Sequence, residues 1–154
     1  MGLNGLRIDD ETWGRLVAAS RTVTADDVGS LLRVGAWRPV VMGAWFSLTV
    51  PAELIHDDLI TATARSQGSL TAPPLAAAAT VVAGADVVPA MLAYLDFIME
   101  PTRRDGSEHV VASAVEHLGA RPPIAPTEEG RRAFRDIHNL AMRLREAAQR
   151  GPSL

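Results

Sequence analysis

The obvious place to look for chemistry in this chain is its four histidines, since its 154 residues include no cysteine. Disulfides, thiolate nucleophiles and cysteine-ligated zinc are thereby excluded together. His109 and His117 stand in E-H-V-V-A-S-A-V-E-H, a Glu-His pair repeated eight residues apart. On one helix eight residues span ~12 Å, whereas a zinc–nitrogen bond is ~2 Å. These two side chains cannot share an ion, and a metal centre would need ligands from other helices that the sequence does not single out. His56-Asp57-Asp58 lies within a helical stretch, where adjacent residues point in different directions, so no compact site is expected there. His138 falls on the flank of an amphipathic helix and is expected to be solvated. No G-x-S-x-G, phosphate-binding glycine loop, dinucleotide fingerprint or H-E-x-x-H occurs. The sequence therefore offers no catalytic residue, metal site or cofactor, which favours a non-enzymatic protein.

The charge pattern is the better lead. All 15 basic residues are arginine, and the net charge is −3. Residues 1–100 hold 6 arginines against 11 carboxylates, a balance of −5, while residues 101–154 hold 9 against 7, a balance of +2. An acidic N-terminal part argues against nucleic-acid binding, which needs several cations to displace counterions. The start, M-G-L-N-G-L-R-I-D-D-E, has no basic segment leading into an apolar run. No stretch is read as the ~18 consecutive apolar residues of a membrane span. The expectation is a cytoplasmic protein with no membrane partner.

The elements that must position these residues are helices almost throughout, since apolar residues recur at spacings of three and four and strand-like alternation is nearly absent. A first helix is predicted over Asp10–Ser20, with Trp13, Leu16, Val17 and Ser20 on one face. A second opens at Thr24, where T-A-D-D reads as a capping box. The third takes Pro39 as its first position, Arg38 as cap, and Trp37 as an apolar staple to Met42, with Val41, Trp45 and Leu48 inward. The fourth follows Pro51 and ends at Gly68, with Leu54, Ile55, Leu59 and Ala62 buried and Glu53, Asp57, Asp58 and Thr61 outward. The alanine-rich fifth runs from T-A-P-P to Gly84, a composition that implies a buried helix packed tightly on both sides. The sixth, D-V-V-P-A-M-L-A-Y-L-D-F-I-M-E, buries Val88, Met91, Leu92, Leu95 and Ile98. Asp105 and Glu108 are expected to cap the seventh, which stops at Gly119. Thr127 caps an amphipathic eighth with Phe134, Ile137, Ala141, Leu144 and Ala148 on its apolar face.

Helix starts near Arg38, Thr71 and Asp105 recur at roughly 33–35 residues, the period of stacked helical hairpins. The predicted fold is all-α: a HEAT-like stack of about three hairpins, a right-handed α-solenoid fragment with amphipathic capping helices at both ends. One domain covers residues 1–150, followed by a disordered tail over 151–154. The runs W-R-P-V-V-M-G-A-W-F-S-L and P-L-A-A-A-A-T-V-V-A-G-A-D-V-V-P-A-M-L-A-Y-L-D-F-I-M resemble a bacterial family of small all-helical proteins of HEAT-like repeat type, common in actinobacteria. The loop that follows reads R-R-D-G-S-E instead of the family's aromatic and acidic pattern. The resemblance implies a partner-binding scaffold, and related helical-repeat proteins occur as immunity proteins beside bacterial toxins.

In stacked hairpins the second helix of each pair lines the concave side, which here assigns the fourth, sixth and eighth helices to one face. The expected protein-binding residues are Glu53, Asp57, Asp58, Tyr94, Asp96, Glu100, Arg103 and Arg104, with carboxylates steering a basic partner such as a toxin domain or adaptor client and an aromatic residue as hot spot. A homodimer through the sixth or eighth helix is a further option. The rival expectation is a small-molecule binder or cyclase-like enzyme with an interhelical pocket of Met42, Trp45, Met91, Tyr94 and Met99.

Overall fold

A computed structural model describes residues 9–151. Eight α-helices and one 3-10 turn make up the described part, with no strand among the described residues. They are α1 (Asp10–Ser20), α2 (Ala25–Arg33), α3 (Trp37–Ser47), α4 (Ala52–Arg65), α5 (Ala72–Ala83), the 3-10 turn Gly84–Val87, α6 (Val88–Ile98), α7 (Ser107–His117) and α8 (Glu128–Gln149). Residues 152–154 of the expected tail lie outside the described residues.

The helix ends follow local chemistry. Thr24 and Asp27 form the reciprocal capping box, and the Thr127 hydroxyl accepts from the Gly130 N–H at the head of α8. Gly119 adopts φ +80° and ends α7. α3 begins two residues earlier than the proline signal suggests, with Ala36 as cap. Pro39 then occupies the third helical position, where a missing N–H still costs nothing because the first turn has no carbonyl to reach. The expected staple is absent: Trp37 is 46% exposed and Met42 50%. The Arg38 guanidinium instead lies 5.0 Å from the Trp37 ring centre. The expected box at α7 is shifted by one residue. Gly106 is the cap at φ +94°; Glu108 accepts its N–H, and Asp105 accepts from the Ser107 N–H.

Leu54 was expected inward and is 61% exposed. Ile55, Leu59 and Ala62 already form the buried stripe at spacings of four and three, and a residue one step before Ile55 points about 100° away from it.

Helices α2, α4 and α6 adjoin in one row, and α3, α5 and α7 in a second. The closest partners across the rows are α2/α3, α4/α5 and α6/α7; of the pairs the 33–35-residue period suggested, α7/α8 packs closely, whereas α3 packs mainly on α2 and α5 mainly on α4 and α8. α8 lies against α5 and α7, and α1 against α8. That places α8 against the second row, and the face expected to join it to α4 and α6 is not formed by those three helices together. α5 is thus enclosed by α3, α4, α7 and α8, and Leu75 through Ala79 are fully buried. Alanine is what lets four helices approach one axis this closely. Three buried hydroxyls are satisfied within their own helices: Thr63 Oγ1 donates to the Leu59 carbonyl, Thr80 Oγ1 to Ala76 and Ser47 Oγ to Ala44.

The 27-residue run Ala72–Ile98 is long and apolar enough to meet a membrane-span criterion, which the sequence reading had not credited to any stretch. Gly84, at φ +57°, and Pro89 break it into α5, the turn and α6, and half of its most apolar window is buried against the rest of the protein.

Candidate functional site

The exposed stripes of α4 and α6 stand side by side on the first row. Glu53 and Asp57 project from α4, and Asp96 and Glu100 from α6, all exposed. Asp57 is 99% exposed. Asp58 turns toward α2, where Arg33 Nη1 lies 3.0 Å from both its oxygens. This contact is close: a Cβ on Gly29 would fall 2.9 Å from Asp58 Oδ2.

His56 does form a cluster, contrary to the expectation drawn from its position. Its Nδ1 lies 2.8 Å from Asp57 Oδ1 and its Nε2 3.0 Å from Asp86 Oδ2, on the 3-10 turn. Hydrogen bonding to Asp57, then to Asp86, raises its pKa above the ordinary histidine value. The partner Asp86 comes from 30 residues downstream, a distance no local rule reads.

Arg103 and Arg104 are engaged at the end of α6. Arg103 pairs with Glu100 at 3.4 Å and stands 4.4 Å over the Phe97 ring, while Arg104 Nε donates to the Met99 carbonyl at 3.2 Å. Both place positive charge at a helix C-terminus, where the dipole favours it.

Tyr94 is not a surface anchor. It is 1% exposed, and its hydroxyl lies 2.6 Å from Ser107 Oγ, which in turn bonds Asp105 Oδ1. Asp105 Oδ2 accepts from the Ser69 N–H at 2.7 Å, so this chain ties the α6–α7 loop to the α4–α5 loop. Burial pushes the Tyr94 pKa up to about 12. The phenol is a neutral structural donor or acceptor at all ordinary pH.

Beside the acidic stripes runs an open groove of about 1000 Å³ between the end of α2, the C-terminal half of α4 and the α4–α5 loop. Leu32, Val40 and Ala62 line it with apolar surface, Trp37 and Phe97 contribute aromatic faces, and Arg65 a cation. None of Met42, Trp45, Met91, Tyr94 or Met99 lines it. Met91 and Tyr94 are buried in the core, Met42 points to solvent, and Trp45 and Met99 are half-buried, so these five residues do not converge on this groove. The groove was missed because V-G-A-W-R-P and S-Q-G-S-L-T, which shape it, read simply as helix punctuation. An exposed tryptophan beside a loop glycine was the signal available.

α7 and α8 bring His117 and His138 together. Their ring centres are 4.7 Å apart; Phe134 stacks on His138 at 5.3 Å and meets His117 edge-on at 5.5 Å. His138, expected to be solvated, is half-buried, and burial, then the neighbouring His117, lowers its pKa. His109 Nδ1 is buried without a hydrogen-bond partner among the described residues. Among the described residues no three His, Asp or Glu side chains could hold a metal together.

No protein-family model, no curated protein and no solved structure matches this chain.

Proposed function

We propose that this is a non-enzymatic interaction module of HEAT-like helical type that binds a cationic protein, in its most specific form an immunity protein that neutralises a toxin domain. The observation that carries the reading is the placement of Glu53, Asp57, Asp96 and Glu100 on the exposed stripes of two adjoining helices, next to a groove with an exposed tryptophan. Carboxylates in such an array raise the encounter rate with a basic partner and repel acidic ones. Trp37 supplies the aromatic hot spot that Tyr94, buried, does not.

The test compares the tagged protein with its Asp57→Asn/Asp96→Asn/Glu100→Gln variant on native lysate at low and high salt, followed by titration of the captured partner. A basic protein held at low salt, released at high salt, and bound at least tenfold more weakly by the variant supports the reading. Equal affinity of the two forms for every captured protein sinks it. The groove itself favours a second reading, an apolar small molecule bearing an anionic group, held between Trp37 and Arg65. In that case ligand-induced thermal stabilisation is lost in Trp37→Ala and unchanged in the triple variant.

A further inference from the structure

The pairing of His117 with His138 gives α7 the second-helix ligand that the Glu-His repeat lacks. The two imidazoles come from different helices, with centres 4.7 Å apart and planes inclined at 57°. Among the described residues, the hydrogen bonds and ion pairs of histidine rings belong to His56 and His109, so the nitrogens of this pair are not committed elsewhere.

A cation bound in the plane of an imidazole lies ~2.1 Å from the nitrogen and so ~3.2 Å from the ring centre. Two rings meeting one ion at an angle between square-planar and tetrahedral then have centres ~4.5–5.2 Å apart. The observed separation falls inside that interval. Phe134 packs against both rings and restricts their rotation, as supporting contacts do around built metal sites. His117 is exposed, which leaves the outer side of the pair open to water ligands. Glu116, the nearest carboxylate in sequence, is held by Arg131 at 3.3 Å, so the protein supplies two donors here.

We propose that His117 and His138 form a two-imidazole site for a divalent late transition cation such as Zn²⁺, Ni²⁺ or Cu²⁺, bridging the end of α7 to the middle of α8, with water completing the coordination sphere. Imidazole nitrogen suits these ions and disfavours Mg²⁺ and Ca²⁺, which take oxygen ligands. The bridge ties together the two helices that close the second row, so binding of the ion to the folded protein stabilises it.

The experiment uses the untagged full chain, with Cu²⁺ as a spectroscopic probe and Zn²⁺ as a calorimetric one. One equivalent of Cu²⁺ is expected to bind with electron spin-echo couplings from two imidazoles, and Zn²⁺ to raise the unfolding temperature. His117→Ala and His138→Ala each leave one imidazole coupling and weaken binding at least tenfold, whereas His56→Ala changes nothing. Because His117 is exposed, its truncation spares the core and separates loss of a ligand from loss of folding. Affinity retained in both single variants, or no saturable one-equivalent binding by the unmutated protein, overturns the proposal.

Discussion

His56 and His138 are one side-chain type in two opposite surroundings. His56 sits on the α4 surface between Asp57 and Asp86, which favour its proton; His138 lies between α7 and α8 against Phe134, where burial and then the neighbouring His117 disfavour it. The first region is polar, exposed and rich in charge, and the second is aromatic and closely packed. A histidine takes its chemistry from what the fold brings to it.

The largest effect should come from breaking the packed region. Phe134, 2% exposed, touches both rings, and Phe134→Ala is expected to cost about 3–5 kcal/mol in denaturant unfolding. A loss below ~1 kcal/mol would mean that the seam is loosely packed. Gly130→Ala probes the same seam more gently, since its Cβ would fall 2.5 Å from His109 Cβ and 2.9 Å from the His109 carbonyl. Overpacking costs about 1–3 kcal/mol against about 1 kcal/mol gained by removing a helical glycine, so the expected net loss is up to ~2 kcal/mol. A more stable variant would show that α7 and α8 stand further apart.

On the acidic face the expected stability change is small. Asp57→Asn, Asp96→Asn and Glu100→Gln should each lie within about 0.5 kcal/mol of the unmutated protein. A larger destabilisation by Asp57→Asn would show that its contact with His56 helps hold the fold together.

The smallest signals sharpen the comparison directly. In metal-free protein, proton titration by NMR should place His56 above and His138 below the ordinary value of ~6.5. For His56 the folded state binds the proton more tightly, so its stabilising contribution is fully present below ~6.5 and is lost as pH rises through the folded value. For His138 the sign reverses: its contribution is present above ~6.5 and is lost as pH falls through the folded value. Asp86→Asn should move the His56 midpoint down and leave His138 alone; a coincident shift of both would break the separation of the two regions.

Local patterns carried the helices well. Asp10–Ser20, the Thr24 box, the Thr127 cap and the Gly84 and Gly119 stops are decided within a few residues, and they stand where caps and glycines put them. The start of α3 escaped because a proline is tolerated throughout the first helical turn, so it marks a start only to within two or three residues. The candidate site was less legible. Exposure of Glu53, Asp57, Asp96 and Glu100 follows from helical period, but Tyr94 looked like a surface anchor until Ser107 and Asp105 were found around it.

Sequence alone determined that this chain is all helical, that α5 must be packed tightly on both sides, and that the net negative charge lies in the N-terminal part while the arginines gather in the C-terminal part, because capping, periodicity and composition act over a few residues. Only the tertiary structure decided the pairing of α2 with α3 and α4 with α5, the lie of α8 over α5 and α7, and the meetings of His56 with Asp86 and His117 with His138. Those meetings span 21 to 30 residues of chain and depend on which faces of several helices bury each other, a choice that no single helix contains.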